Sequence, residues 1–284
     1  MKLIKRLLIF IITLVAILGV AAVGSYVYVR KTYDIDLFNT PAELKKLNTK
    51  VDEEKLCPNA YTSEDKVNIK DKINLSFNDT LSYTKADGLK LDLSKLNSKM
   101  KTIIKLTDRE IACLADETIK EEADGKITIA SKDIPIEIKQ IEISNVNNGN
   151  ANINIVFKLD IKDIKSNLPS LLKYLKKYIP DDLYVSSTFS VTKTANSFAY
   201  ELAPVEFKLN NLNDSETKEL MNILNLLFNF GSSDDFNLLI AKIVMQSLVG
   251  DENNQGFAYS LKAYGAKDFK FINEDENNYF SVVC

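Results

Sequence analysis

Residues Leu7 to Val29 (LLIFIITLVAILGVAAVGSYVYV) carry no charged side chain. At ~1.5 Å of rise per residue, a helix of this run spans the ~30 Å hydrocarbon core of a bilayer. Tyr26 and Tyr28 sit near its end, where aromatic rings favour the lipid–water interface. Lys2, Lys5 and Arg6 precede the run; Arg30 and Lys31 follow it, and then Asp34 and Asp36. That bias orients the N-terminus toward the cytoplasm and the body outside. The same stretch also reads as a cleavable signal, with a basic leader and a small-residue site at Ala22-Val23-Gly24. Either reading exports the body; the uncleaved one makes the chain a single-pass protein of the cell membrane.

The exported part is acidic. The first 31 residues hold five basic side chains and no acid, so the remainder carries −8 against −3 for the whole chain. Such a surface repels phosphate backbones, and no nucleic-acid partner is expected. The chain contains no His and no Trp. Without His, Ser-His-Asp and Cys-His machinery is excluded, and the commonest nitrogen metal ligand is missing. Cys57, Cys113 and Cys284 form no Cys-x-x-Cys pair, and an odd count leaves at least one thiol free in a monomer. Cys113 falls on the apolar face of a helix and reads as a small buried hydrophobe; a Cys57–Cys284 bridge stays open. Acidic pairs at Asp160/Asp163, Asp181-Asp182, Asp234-Asp235 and Asp251-Glu252 lack the spacing of a calcium loop. No phosphate loop, dinucleotide fingerprint or nucleophile elbow occurs. The expectation is a protein that is not an enzyme and needs no cofactor or metal.

The pattern divides the chain into a tip and anchor (1–31), a connecting stalk (32–65) and an extracytoplasmic domain (66–284). In the stalk, Thr40-Pro41-Ala42-Glu43 starts a short helix ending near Asn48. Val67, Ile69, Ile73, Leu75 and Phe77 fall at odd positions, which predicts a strand. Leu89, Leu91 and Leu93 suggest another after the Asp87-Gly88 turn. Thr107-Asp108-Arg109-Glu110 caps a helix over 108–122. A strand from Lys126 to Ala130 is followed by a long hairpin turning at Asn147–Asn150. A switch of apolar parity from Ile138 to Ile141 predicts a bulge near Lys139-Gln140. Leu168 to Ile179 is periodic as a helix stopped by Pro180. A second long hairpin turns at Ala195-Asn196, with a parity shift at Pro204. Two further helices cover 215–230 and 235–249, the second capped by Asp234. Phe257, Tyr259 and Leu261, then Phe269 and Phe271, then Tyr279 to Val283, predict terminal strands.

The helices at 215–230 and 235–249 are apolar around more than a narrow stripe, so they need burial on more than one side. Leu220, Leu224, Leu227, Phe228, Leu239 and Ile243 are the candidate lining of a groove for an acyl chain or other apolar ligand; the bland reading is a helical hairpin buried in the core. Lys162, Lys165, Lys173, Lys176 and Lys177 surround one amphipathic helix. They read as a solvated face or as a contact for anionic headgroups.

The order of elements carries a resemblance. A Leu-Thr-Asp-x-Glu-Ile helix start (Leu106 to Ile111) precedes long strands, and Leu-Pro-x-x-Leu-Leu (Leu168 to Leu172) leads through Tyr-Ile-Pro-Asp into Leu-Tyr-Val. Over roughly 66–212 this is similar to the YpmS-like membrane-anchored proteins of low-GC bacteria, and more loosely to tubular lipid-binding (TULIP-like) domains. The resemblance implies an α+β fold in which a long, curved antiparallel sheet wraps on amphipathic helices, with lipid or apolar-ligand binding at the envelope. It supplies no site residues. The alternative class is a protein-interaction scaffold for envelope or wall assembly.

Overall fold

The structure is a computed structural model, described for residues 27–28, 30–31, 40–48, 51–77, 81–84, 88–91, 99–129, 132–167, 170–210, 212–228, 231–254 and 256–284. Nearly all of the apolar run Leu7–Val29 lies outside these residues; among the described residues no helix is long and apolar enough to cross a membrane. The fold is α+β with antiparallel sheets.

Helices α1 (Thr40–Leu47), α2 (Glu53–Leu56) and α3 (Ser63–Phe77) come first. The described part of the expected stalk is not a spacer. Leu44 and Leu47 are 0% and 1% exposed within the main core, because α1 packs on the Ser170–Tyr178 segment and on helix α6 (Asp214–Phe228). The boundary expected at 65/66 falls inside α3.

The strand expected over 67–77 is also corrected. Ile69, Ile73 and Phe77 are four residues apart and share one buried helical face, whereas Val67 and Leu75 point outward. Odd-numbered spacing by four satisfies both periods, and the deciding signal is the start: the Thr62 amide donates to Asp65 Oδ2 at 2.7 Å, half of a capping box. Strands β1 (Leu81–Thr84) and β2 (Gly88–Leu91) form a small hairpin.

Strand β3 (Ile104–Leu106) leads into α4 (Asp108–Ala123), whose Thr107/Glu110 capping box is formed as expected. Ion pairs weld α3 to α4: Arg109 to Asp65 at 2.8 Å, Lys66 to Glu117 at 2.8 Å and Lys72 to Glu110 at 2.6 Å.

The main sheet has the order β4-β5-β6-β7-β8 and comprises β4 (Lys126–Ile129), β5 (Lys132–Asn147), β6 (Asn150–Asp160), β7 (Asp182–Lys193) and β8 (Tyr200–Leu209). The register slips between Ile138 and Gln140, where the parity switch places the bulge, and again between Ser144 and Asn147. Asn148 (φ 51°) and Gly149 (φ 83°) make the two-residue turn, which needs two left-handed residues. A third slip, at Thr188/Phe189 opposite Glu206/Pro204, matches the shift at Pro204. Between the hairpins lie α5 (Lys162–Ser166) and a 3₁₀ helix over Ser170–Tyr178, in place of one α-helix.

One sheet face is apolar: Ile138, Ile141, Ile155, Phe157, Val185 and Phe189 are at most 1% exposed. Helix α4 lies against β5, and helix α7 (Ser233–Leu248) against β7 and β8. The last segment is helical where a strand was expected: α8 (Phe257–Ser260) and a 3₁₀ turn (Leu261–Tyr264) precede β9 (Asp268–Glu274) and β10 (Asn277–Val283). With only Ala258 and Leu261 buried in that stretch, burial recurs at a helical spacing. The order β3-β10-β9 makes a second sheet, whose Phe269, Phe271 and Phe280 rings cluster with centroids 5.8–6.1 Å apart. All three cysteines are free thiols, and Cys113 is fully buried.

Candidate docking surface

The six apolar candidates divide into three groups. Leu220 and Leu224 are 0% exposed, beside the buried Met221 and Ile223 on the face of α6 that meets α1 and β8. Leu239 and Ile243 are half-buried on α7 at the margin of the same core. Leu227 and Phe228 close α6, and their side chains lie outside the described set. Both helices pack on β8, but α6 also meets α1, whereas α7 also meets α4 and β7.

Helix α7 is anchored by polar groups that periodicity does not reveal. Ser232, not Asp234, is its cap, in a capping box with Asp235; the hydrogen bond from Ser232 holds the Asp235 carboxyl below its ordinary range. Asn237, 1% exposed, donates to the carbonyl oxygens of Thr188 (3.0 Å) and Glu206 (2.8 Å) and accepts from Ser187 Oγ (3.2 Å). A second staple is Asn210. Its Oδ1 accepts from the Tyr184 amide and its Nδ2 donates to Leu47 O, each at 2.9 Å, tying β7 and β8 to α1.

The opposite face of the main sheet is open and polar. Alternation places Asn152, Asn154, Ser186, Thr188 and Ser190 there, with Asn152 opposite Ser190 and Asn154 opposite Thr188. All five are half-buried or exposed, and Asn154 Nδ2 donates to Ser186 Oγ and Thr188 Oγ1 at 3.1 and 2.8 Å. One end is roofed by residues 53–59. Glu53 binds Lys139 at 2.8 Å and accepts from Tyr184 Oη at 2.6 Å, and the Asn59 amide donates to Gln140 Oε1 at 2.8 Å. The Lys139 and Tyr184 contacts hold the Glu53 carboxyl below its usual range. Burial pulls the Lys139 ammonium down, but Glu137 and Glu53 more than offset this and hold it high. Burial pushes the Cys57 thiol up to about 11, so it stays protonated and unreactive.

Two clefts border this framework. One of about 690 Å³ lies where the open face meets the start of α6, lined by Leu56, Ser186, Lys208, Asn210, Asn213 and Ser215 among others. The other, about 720 Å³, lies between the Asn147–Gly149 turn and β9. Their polar groups are largely engaged within the fold: Lys208 with Glu206 at 2.6 Å, Asn210 as above, and Lys193 with Asp268 at 3.2 Å. Among the described residues no group of three His, Cys, Asp or Glu could hold a metal ion. The arrangement offers hydrogen bonding and shape.

The lysines around 162–177 are not a bare basic patch. Lys162 pairs with Asp160 at 3.3 Å and Lys165 with Asp181 at 2.6 Å, while Lys177 lies over the Tyr178 ring. Comparison with protein-family models, with characterised proteins and with solved structures finds no match for this chain.

Proposed function

We propose that this chain is a membrane-anchored module outside the cytoplasm, without chemistry of its own, that docks an envelope protein on the open face of its long sheet. The supporting observation is the sheet's one-sidedness. Helices α4 and α7 close its apolar face, and the other presents a row of hydrogen-bonding side chains suited to a polar partner surface. Incorporating a photocrosslinker at Ser190 or Asn152 in cells tests this. The expected result is one discrete adduct, lost when Thr188→Arg crowds the face. Absence of any adduct from both positions contradicts the proposal.

A lipid or other apolar ligand is the second reading. Leu239 and Ile243, one turn apart on α7, sit at the edge of the core and not inside it. In this reading the bulged hairpins curl around the helices as in the TULIP-like arrangement that the resemblance to YpmS-like proteins implies. Mass spectrometry of lipids extracted from the purified full chain decides it. A stoichiometric lipid lost on Leu239→Ser with Ile243→Ser supports this reading, and no lipid removes it.

A further inference from the structure

The fold gathers a basic surface from lysines far apart in sequence. The Met100 amide donates to Tyr264 O at 2.6 Å, and the Lys267 amide to Val283 O at 2.7 Å. A Cβ added at Gly265 would lie 3.6 Å from Lys99 Cβ. Residues 99–105 therefore run beside 262–267 and the end of β10. The segment 99–105 contains no acid, and 262–270 contains only Asp268, which Lys193 holds at 3.2 Å.

Lys99, Lys262, Lys267 and Lys270 are all exposed, and none of the ion pairs of the described residues involves Lys99, Lys267 or Lys270. Lys105, paired with Glu274, stands in register with Ser281, which stands in register with Lys270. Strand spacing sets Lys105 and Lys270 ~10 Å apart on one face. The Ser281 side chain between them is fully buried, and its hydroxyl has no hydrogen-bond partner. Exposed lysines gathered on an otherwise acidic body suit phosphate oxygens.

Two large apolar side chains stand beside the same segment. Ile103 is 42% exposed on β3's approach, and Leu75 is 75% exposed on the last turn of α3. The Lys101 amide donates to the neighbouring Ser76 O at 3.4 Å. A soluble polyanion gives these side chains nothing, whereas a bilayer interface takes up both them and the lysines.

We propose that this end of the body, centred on Lys99, Lys267, Lys270, Leu75 and Ile103, lies against an anionic bilayer surface. The inference rests on the membrane anchor of the function proposed above. It differs in kind from the open sheet face, which is left for the protein partner.

The test uses the full chain in nanodiscs of phosphatidylcholine, with or without phosphatidylglycerol, and reads lysine acetylation rates against the exposed Lys218 as the internal standard. The expected result is several-fold slower acetylation of Lys99, Lys267 and Lys270 only in the anionic discs, reversed by about 0.5 M salt. A bimane probe at Leu75→Cys should shift to the blue in the same discs. The triple variant K99E/K267E/K270E, folded by circular dichroism, should lose the bimane shift. Equal acetylation in both compositions overturns this inference alone. Protection by millimolar inorganic phosphate in phosphatidylcholine discs, with no bimane shift, replaces the bilayer with a soluble anion. A chain that enters neither disc overturns the anchor, and this inference with it.

Discussion

Asn237 Nδ2 donates to the Glu206 carbonyl oxygen at 2.8 Å, reaching from α7 to the slip in the β7–β8 register. A bulge leaves ladder groups without cross-strand partners, and this buried amide supplies them for both Glu206 and Thr188. Removing it leaves two carbonyls in part-buried positions without this donor. Asn237→Ala should therefore cost ~2–4 kcal/mol, read as a lower urea midpoint. A cost below ~0.5 kcal/mol would mean that the α7 contact does not organise the bulge.

The helical assignment of 63–77 has its own signature. Ile73→Ala empties a site that is 1% exposed and should cost ~2–5 kcal/mol, whereas Leu75→Ser, at 75% exposure, should stay within ~0.5 kcal/mol. A strand with one buried face would make the two comparable.

Asp108 provides a pH handle. Burial pushes its carboxyl up to about 6, Glu142 adds to the rise, and a backbone hydrogen bond from Ile143 opposes it. Its Oδ1 is buried without a partner. A folded pKa raised above the unfolded value of 3.8 favours the folded state while the group is protonated. That contribution is complete below about pH 4 and is lost as pH rises through about 6. Asp108→Asn should raise Tm by ~2–4 °C near neutral pH and leave it unchanged in acid. Equal shifts at both pH values would show that charge burial is not the cause.

Leu224 and Leu239 separate core from ligand contact. Leu224→Ala should cost ~2–5 kcal/mol, because the side chain is 0% exposed. Leu239→Ser should cost well under half of that, because Leu239 sits at the core's margin. Similar losses at both would place Leu239 inside the core and leave no apolar lining on α7.

Much of the fold is legible in the residues. The capping box at Thr107/Glu110 locates α4, and the parity switch at Ile138/Ile141 locates the first bulge. Failures came where one pattern fits two periods. Residues 69, 73 and 77 satisfy both, and Phe257-Ala258-Tyr259 is too short to choose. The stalk expectation fails because α1 carries only Leu44 and Leu47 as apolar anchors, and their docking site comes from residues over a hundred positions later. The candidate site was less legible still. Apolar content marked α6 and α7, but a fully apolar face is what a core helix needs, and burial of Leu220 and Leu224 follows from that alone. Asn237, Asn210 and the lysines around Ser281 act through cross-strand geometry, which leaves no trace in local pattern.

The proposed placement of the body outside the membrane is tested most directly by labelling. Lys242→Cys, on the exposed side of α7 and away from the docking face, with Cys57, Cys113 and Cys284 replaced by Ser, should react with a membrane-impermeant maleimide in intact cells, and the labelled chain should sediment with membranes. Labelling that appears only after lysis, or a labelled chain found in the soluble fraction, would contradict the account.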